Sequence, residues 1–127
     1  PKDDSQFKDI ELEKIIRDHL KTDGDINVSD LEYIDYLNIN CKETPVYQID
    51  GLEYALNLNY FSFRYGTLES LGTILSLTNL YSITISYSTL ENQPTIKTGT
   101  SLEKVSFIDS NVSNFDFLQN STNIYYI

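Results

Sequence analysis

Apolar residues in the second half of this chain follow a fixed schedule. LNYFSFRYG at 58–66, LYSITISYS at 80–88 and LEKVSFIDS at 102–110 share the pattern Lxx(F/I/V)x(F/I)xx(G/S) at a strict period of 22, and a truncated copy begins at Ile124. The segments between them repeat as well. Leu68, Leu71, Ile74 and Leu77 recur as Leu90, Ile96 and Gly99, then as Val112, Phe115 and Leu118. One period upstream, Tyr36, Ile39, Cys41, Val46, Ile49, Leu52 and Ala55 fill the corresponding places, so registers start at 36, 58, 80 and 102. A period of this length means stacked units, none of which buries its apolar face alone.

Within each unit the pattern predicts a short strand with its first, fourth and sixth residues inward: Leu58, Phe61 and Phe63; Leu80, Ile83 and Ile85; Leu102, Val105 and Phe107. Residues between them face outward by the two-residue repeat of a strand. Successive strands pair in parallel, and a return segment brings more apolar residues to the same core. The return segment is the bulkier side, so the predicted architecture is an α/β solenoid, a right-handed superhelix with its parallel β-sheet on the concave face. Pro94 falls in a return segment, where it costs no ladder hydrogen bond. That return is the least regular, with Gln93 at the place of Leu71 and Phe115 and Gly99 at that of Leu77, and a looser path is expected there.

The beginning of the chain has a different period. Phe7, Ile10 or Glu11, Leu12, Ile15, Ile16 and Leu20 are spaced as one face of a helix, with Glu13, Lys14, Arg17 and Asp18 on the wet side. Thr22-Asp23-Gly24-Asp25 stops it. Ser29-Asp30-Leu31-Glu32 predicts a second, shorter helix with a capping box, its inward face Leu31, Ile34 and Leu37, the last belonging either to it or to the next strand. An open stack needs its first apolar surface covered, so residues 1–35 read as a helical N-terminal cap and 36–127 as the repeats.

Charge sharpens that division. The 127 residues carry a formal net charge of -10. Residues 1–53 hold 14 acids and 6 bases, a net of -8, and residues 54–127 hold 5 acids and 3 bases, a net of -2. Such acidity argues against nucleic acid or an anionic membrane as a partner. One cysteine excludes an internal disulfide framework. No run of about 18 apolar residues exists, so no membrane insertion is expected in this segment. Beginning at Pro1 rather than Met, the chain reads as an excised piece, and a continuation past Ile127 is expected because the last strand lacks its return half.

These residues resemble the internalin-type leucine-rich repeats of Gram-positive surface proteins. FKDIELEKIIRDHL followed by GDINVSDLEYIDYLNI is similar to the helical cap before such repeats, and VYQIDGLEYALNLNYFSF at 46–63 is similar to their first repeat, with its I-x-x-L-x-G-L-x-x-x-x-N-L-x-x-L run. The resemblance covers nearly the whole chain. It implies a secreted or wall-attached protein whose concave face binds a partner, with adhesion and virulence as the context. One departure stands out. Where that family places Asn at the strand-to-return corner, this chain has Thr44, Gly66, Ser88 and Ser110. Ser and Thr replace some of the loop hydrogen bonds, and Gly66 supplies none.

The outward positions are the candidate site: Tyr60, Arg64, Tyr65, Tyr81, Tyr87, Lys104 and Tyr126. Tyr65 and Tyr87 share a column in adjacent strands, and should lie about 5 Å apart. Tyrosines and arginine among small hydroxyl residues make a stiff, hydrogen-bonding contact surface. The same tyrosines could instead merely stabilise an exposed sheet. The expected partner is a protein, a host surface protein being one candidate. A glycan, whose rings stack on tyrosine, and a spacer that binds nothing remain alternatives. Cys41 reads as a buried small hydrophobe at the inward place of Phe63. His19 has no Cys/His companion. HLKTDGDINVSD at 19–30 has the Gly24 and Ile26 of a calcium loop, but His19 and Lys21 stand at its first and third positions and Asp30 at its last. No metal or cofactor is expected. There is no GxSxG, phosphate loop, HExxH or base–nucleophile pair, so no enzyme is expected either.

Overall fold

The computed structural model describes residues 7–22, 24, 26–92, 102–111 and, for the backbone alone, 123–126. Helix α1 spans Ile10–Leu20, and strand β1 spans Tyr36–Asn40. Then come β2 (Tyr60–Arg64), β3 (Thr67–Ser70), a one-turn α2 (Gly72–Leu75), β4 (Ser82–Ser86), β5 (Thr89–Asn92), β6 (Lys104–Ile108) and β7 (Asn123–Tyr126). The main sheet is parallel and five-stranded, in the order β1-β2-β4-β6-β7. A second parallel sheet pairs β3 with β5 in the return segments. The sequence pattern did not distinguish those short return strands from irregular chain.

Inward positions behave as the apolar schedule dictates. Leu58, Phe61, Phe63, Leu80, Ile83, Ile85, Leu102, Val105 and Phe107 are all buried, as are Leu68, Leu71, Ile74, Leu77 and Leu90 from the return side. They belong to one apolar cluster that also takes Phe7, Leu12, Ile16, Ile26, Leu31 and Ile34 from the first part of the chain. The core is therefore continuous from the helix into the repeats.

The strand pairing departs from a uniform 22-residue step at both ends. β2 and β4 are 22 apart (Tyr60 beside Ser82), and so are β4 and β6 (Ser82 beside Lys104). β1 and β2 are 24 apart, with Tyr36 beside Tyr60, Leu37 beside Phe61 and Ile39 beside Phe63. Tyr36 is accordingly exposed, and Leu37 and Ile39 are the inward pair. Because Val46, Ile49, Leu52 and Ala55 are still buried one 22-residue period before Leu68, Leu71, Ile74 and Leu77, the two extra residues sit in the turn around Cys41–Thr44. At the far end β6 and β7 are 19 apart, and Ile124 pairs with Val105 rather than with Leu102. Side-chain alternation alone could not reveal the two-residue slip between β1 and β2, since a two-residue shift keeps the same face inward.

The first helix is shorter than its apolar spacing. Asp9 caps it, its carboxylate accepting from the N–H of Glu11 at 3.0 Å and of Leu12 at 3.3 Å. Phe7 is buried from outside the helix, and Ile10 is exposed. Lys21 ends it in the left-handed conformation, φ 56°. The second predicted helix is a 3-10 turn, Val28–Tyr33. Its capping residue is Asn27, not Ser29: the carboxylate of Asp30 reaches back to the N–H of Asn27 at 2.9 Å. The irregular return expected at Gln93, Pro94, Ile96 and Gly99, the apolar places Val112, Phe115 and Leu118, and Ile127 lie outside the described residues.

Candidate functional site

The strand-to-return corner is built the same way in three successive units. Tyr65, Tyr87 and Asp109 each follow a strand and adopt the left-handed conformation, with φ of 63°, 51° and 47°. Outside glycine that conformation costs about 1–2 kcal/mol per residue. Neighbouring strands hold it in place. The N–H of Tyr65 donates to the Ser86 carbonyl at 3.1 Å, and that of Tyr87 to the Ile108 carbonyl at 2.8 Å. One residue later the serines act as a ladder. Ser88 Oγ accepts from the Gly66 N–H, and Ser110 Oγ accepts from the Ser88 N–H, both at 3.2 Å.

The N–H of Cys41 donates to the Arg64 carbonyl at 2.9 Å, which makes Cys41 the equivalent of Tyr65 and Tyr87 in its unit. It does not match Phe63, as a uniform period implied; the longer first unit moves it. Its side chain fills the space left by Gly66, where an added Cβ would stand 2.7 Å from both Cβ and Sγ of Cys41. The thiol faces the Val46 carbonyl at 3.7 Å. Burial raises its pKa above the usual thiol value, partly offset by that contact. Gly66 is thus the partner of a cysteine rather than a gap in the ladder.

What projects from this corner is an aromatic stack. The rings of Tyr65 and Tyr87 lie parallel within 5°, their centroids 5.2 Å apart. Lys42 Nζ sits over the Tyr65 ring, 4.3 Å from its centroid, and Arg64 Cζ lies 5.9 Å from it. Both tyrosines are exposed, at 38% and 50%. Lys42, from the turn of the first unit, is the member that strand periodicity missed. Its signal was there: it directly follows the residue that aligns with Tyr65.

The remaining sequence candidates do not join this group. Tyr60 opens β2, about 13 Å along the strand from Arg64. Tyr81 and Lys104 lie at that same entry end, where the Tyr81 carbonyl accepts from the N–H of Lys104 at 3.1 Å. Six of the seven candidates therefore fall at two ends of the sheet. Tyr126, described for its backbone alone, pairs in register with Phe107. Ser82 beside Tyr60, Ser62 midway along its strand and Ser86 beside Arg64 are nearly inaccessible.

His19 meets the ring of Tyr36 edge-on at 5.0 Å and, with Leu20, Thr22, Asp30 and Tyr33, lines a cavity of about 350 Å³. Asp23 and Asp25 of the calcium-loop comparison lie outside the described residues. Of that loop, Asp30 is engaged in capping and the Gly24 N–H donates to Thr22 Oγ1 at 3.2 Å. Among the described residues, no three His, Cys, Asp or Glu side chains are grouped to hold a metal.

No family model matches the chain, and no curated protein matches it in sequence. Solved structures do. Internalin C2 from Listeria monocytogenes aligns over 95% of this chain and 55% of its own, with a TM-score of 0.76 and 20% identity. Internalin InlF from the same organism aligns over 91% and 48%, with a TM-score of 0.50 and 18% identity. A Clostridium perfringens ZmpB structure, of CBM51-2 in complex with GlcNAc and INT domains, aligns over 66% of this chain and 18% of its own. Its TM-score is 0.59, at 25% identity. The chain spans little more than half the length of the longest-covered of these, and less of the others. Corner ladder, parallel sheet and buried leucine schedule together give the chain an internalin-like leucine-rich repeat fold.

Proposed function

We propose that this chain is a recognition module of a secreted or cell-surface protein, in which a helical cap (1–35) closes the start of a curved solenoid of leucine-rich repeats (36–127). Its work is binding, without catalysis, and its partner is a protein. The carrying observation is the stack of Tyr65 and Tyr87 with Lys42 and Arg64 beside it. Three left-handed non-glycine residues in register are strained, and strain of this kind concentrates where a surface is used. Two parallel rings present a large, rigid area with hydroxyls at its rim, the composition of a binding hot spot. The fold shared with the Listeria internalins supports a surface setting for the whole protein.

The test is binding to a panel of host surface proteins and glycans, comparing the parent chain with Tyr65→Ala/Tyr87→Ala and with Tyr60→Ala/Tyr81→Ala. Loss with the first pair alone places the contact at the strand-to-return corner. Equal binding by all three proteins would remove the tyrosines from the site. A glycan hit that survives protease treatment of the target would replace the protein partner with a carbohydrate.

A further inference from the structure

Directly beneath the tyrosine stack lies a crevice of about 280 Å³, lined by Cys41, Pro45, Val46, Tyr47, Tyr65, Gly66 and Thr67. Its origin is in the register. The corner column runs Cys41, Tyr65, Tyr87, Asp109, so the first unit sets a small thiol where the next two carry rings. The longer turn of that unit forms the opposite wall with Pro45 and Val46. Lys42 Nζ stands 4.3 Å from the ring centroid of Tyr65, one of the residues that line the crevice.

We infer that this crevice, together with Lys42 and Arg64, receives a peptide segment of the partner: a bulky apolar side chain enters the crevice, and an adjacent carboxylate meets the two cations. The inference rests on the recognition reading above and names the chemistry of its partner. The volume, at the lower end of the range of small-ligand sites, is large enough for one bulky side chain. The lining argues against a sugar. Of its hydroxyls, that of Tyr47 already donates to Glu91 at 2.5 Å, and the walls from Cys41, Pro45, Val46 and Gly66 offer little to replace the water that sugar hydroxyls would lose. Charge argues for an acid beside it. Asp9, Glu69 and Glu91 act on Cys41 and Tyr47. Lys42 and Arg64, by contrast, converge on the Tyr65 ring and form no ion pair with a described residue, so an acid would be met on the Tyr65 side alone.

The probe is the capped dipeptide N-acetyl-Phe-Glu-amide, titrated into ¹⁵N-labelled chain and followed by amide chemical shifts. N-acetyl-Phe-Lys-amide and GlcNAc are run beside it. The expected result is saturable shifts at Tyr47, Gly66 and Thr67, with the lysine peptide weaker by about tenfold. The exposed double variant Lys42→Glu/Arg64→Glu should keep the parent spectrum elsewhere and reverse the preference between the two peptides. Equal affinity for both peptides overturns the inference, as do shifts confined to the Tyr60–Tyr81 end, or shifts at these amides with GlcNAc alone. If the dipeptide fails while a protein partner is still lost in Tyr65→Ala/Tyr87→Ala, the crevice assignment falls and the recognition reading stands.

Discussion

Replacing Gly66 by alanine tests the packing of the corner directly. An added Cβ would lie 2.7 Å from Cys41 Cβ, 2.7 Å from Cys41 Sγ and 3.3 Å from Phe63 Cζ. The first contact is between atoms fixed to two backbones, so rotating the thiol away does not relieve it. Overpacking of this kind costs about 1–3 kcal/mol. The loss of glycine's freedom in the unfolded chain returns about 0.4–1 kcal/mol. A net destabilisation of about 1–2 kcal/mol is expected, read as a lower urea midpoint at unchanged m value. The cause is separable by partner substitution. In a Cys41→Ala background the Cβ contact remains and Gly66→Ala should still destabilise. In a Cys41→Gly background both close atoms are gone, and Gly66→Ala should become neutral or stabilising. The coupling expected in that cycle is about 1–2 kcal/mol. If Gly66→Ala costs the same in the Cys41→Gly background as in the parent, the pairing of glycine with cysteine is wrong.

Asp9→Ala removes the cap of α1 and two further bonds, from the N–H of Tyr47 at 2.8 Å and of Gln48 at 3.2 Å, that tie the helix to the first return. It should cost about 2–3 kcal/mol, measurable by denaturant titration, and Ser29→Ala, whose residue caps nothing, should stay within about 0.5 kcal/mol. Ser110→Ala deprives the Ser88 N–H of its acceptor and should cost about 1 kcal/mol in the same assay; an unchanged midpoint would mean that the ladder contributes nothing. Alkaline titration should lower stability above about pH 9–10. The pKa of Cys41 is raised chiefly by burial, and that of Tyr47 chiefly by its hydrogen bond to Glu91, so the folded chain holds protons that the unfolded chain releases first. Cys41→Ala and Tyr47→Phe should flatten that decline. For the same reason Cys41 should react more slowly with a thiol reagent at pH 8 in the native chain than in urea, a difference that vanishes if the thiol is accessible.

The leucine schedule at a 22-residue period carried most of the fold. Strands β2, β4 and β6 and their inward rows follow from which residues must leave water, a demand written locally along the chain. The return strands β3 and β5 and the inward row of β1 did not follow from it. The parallel order of the sheet follows too, because each unit buries its apolar edge only against the next. What the schedule could not carry was register between units. A turn lengthened by two residues leaves every side chain on its own face, so Cys41 passed for a core residue in line with Phe63 when it stands in line with Tyr65. The candidate site divided for a related reason. Alternation placed Tyr60, Tyr65, Tyr81 and Tyr87 on one outward face, but Tyr65 and Tyr87 lie past the strand ends, held left-handed by carbonyls of the next unit. Their stacking, the cation over Tyr65 and the crevice beneath depend on contacts across units 22 to 24 residues apart, where neither partner's own neighbours in sequence record the meeting. Burial is a property of each residue and was legible; alignment of one repeat on the next was decided by packing.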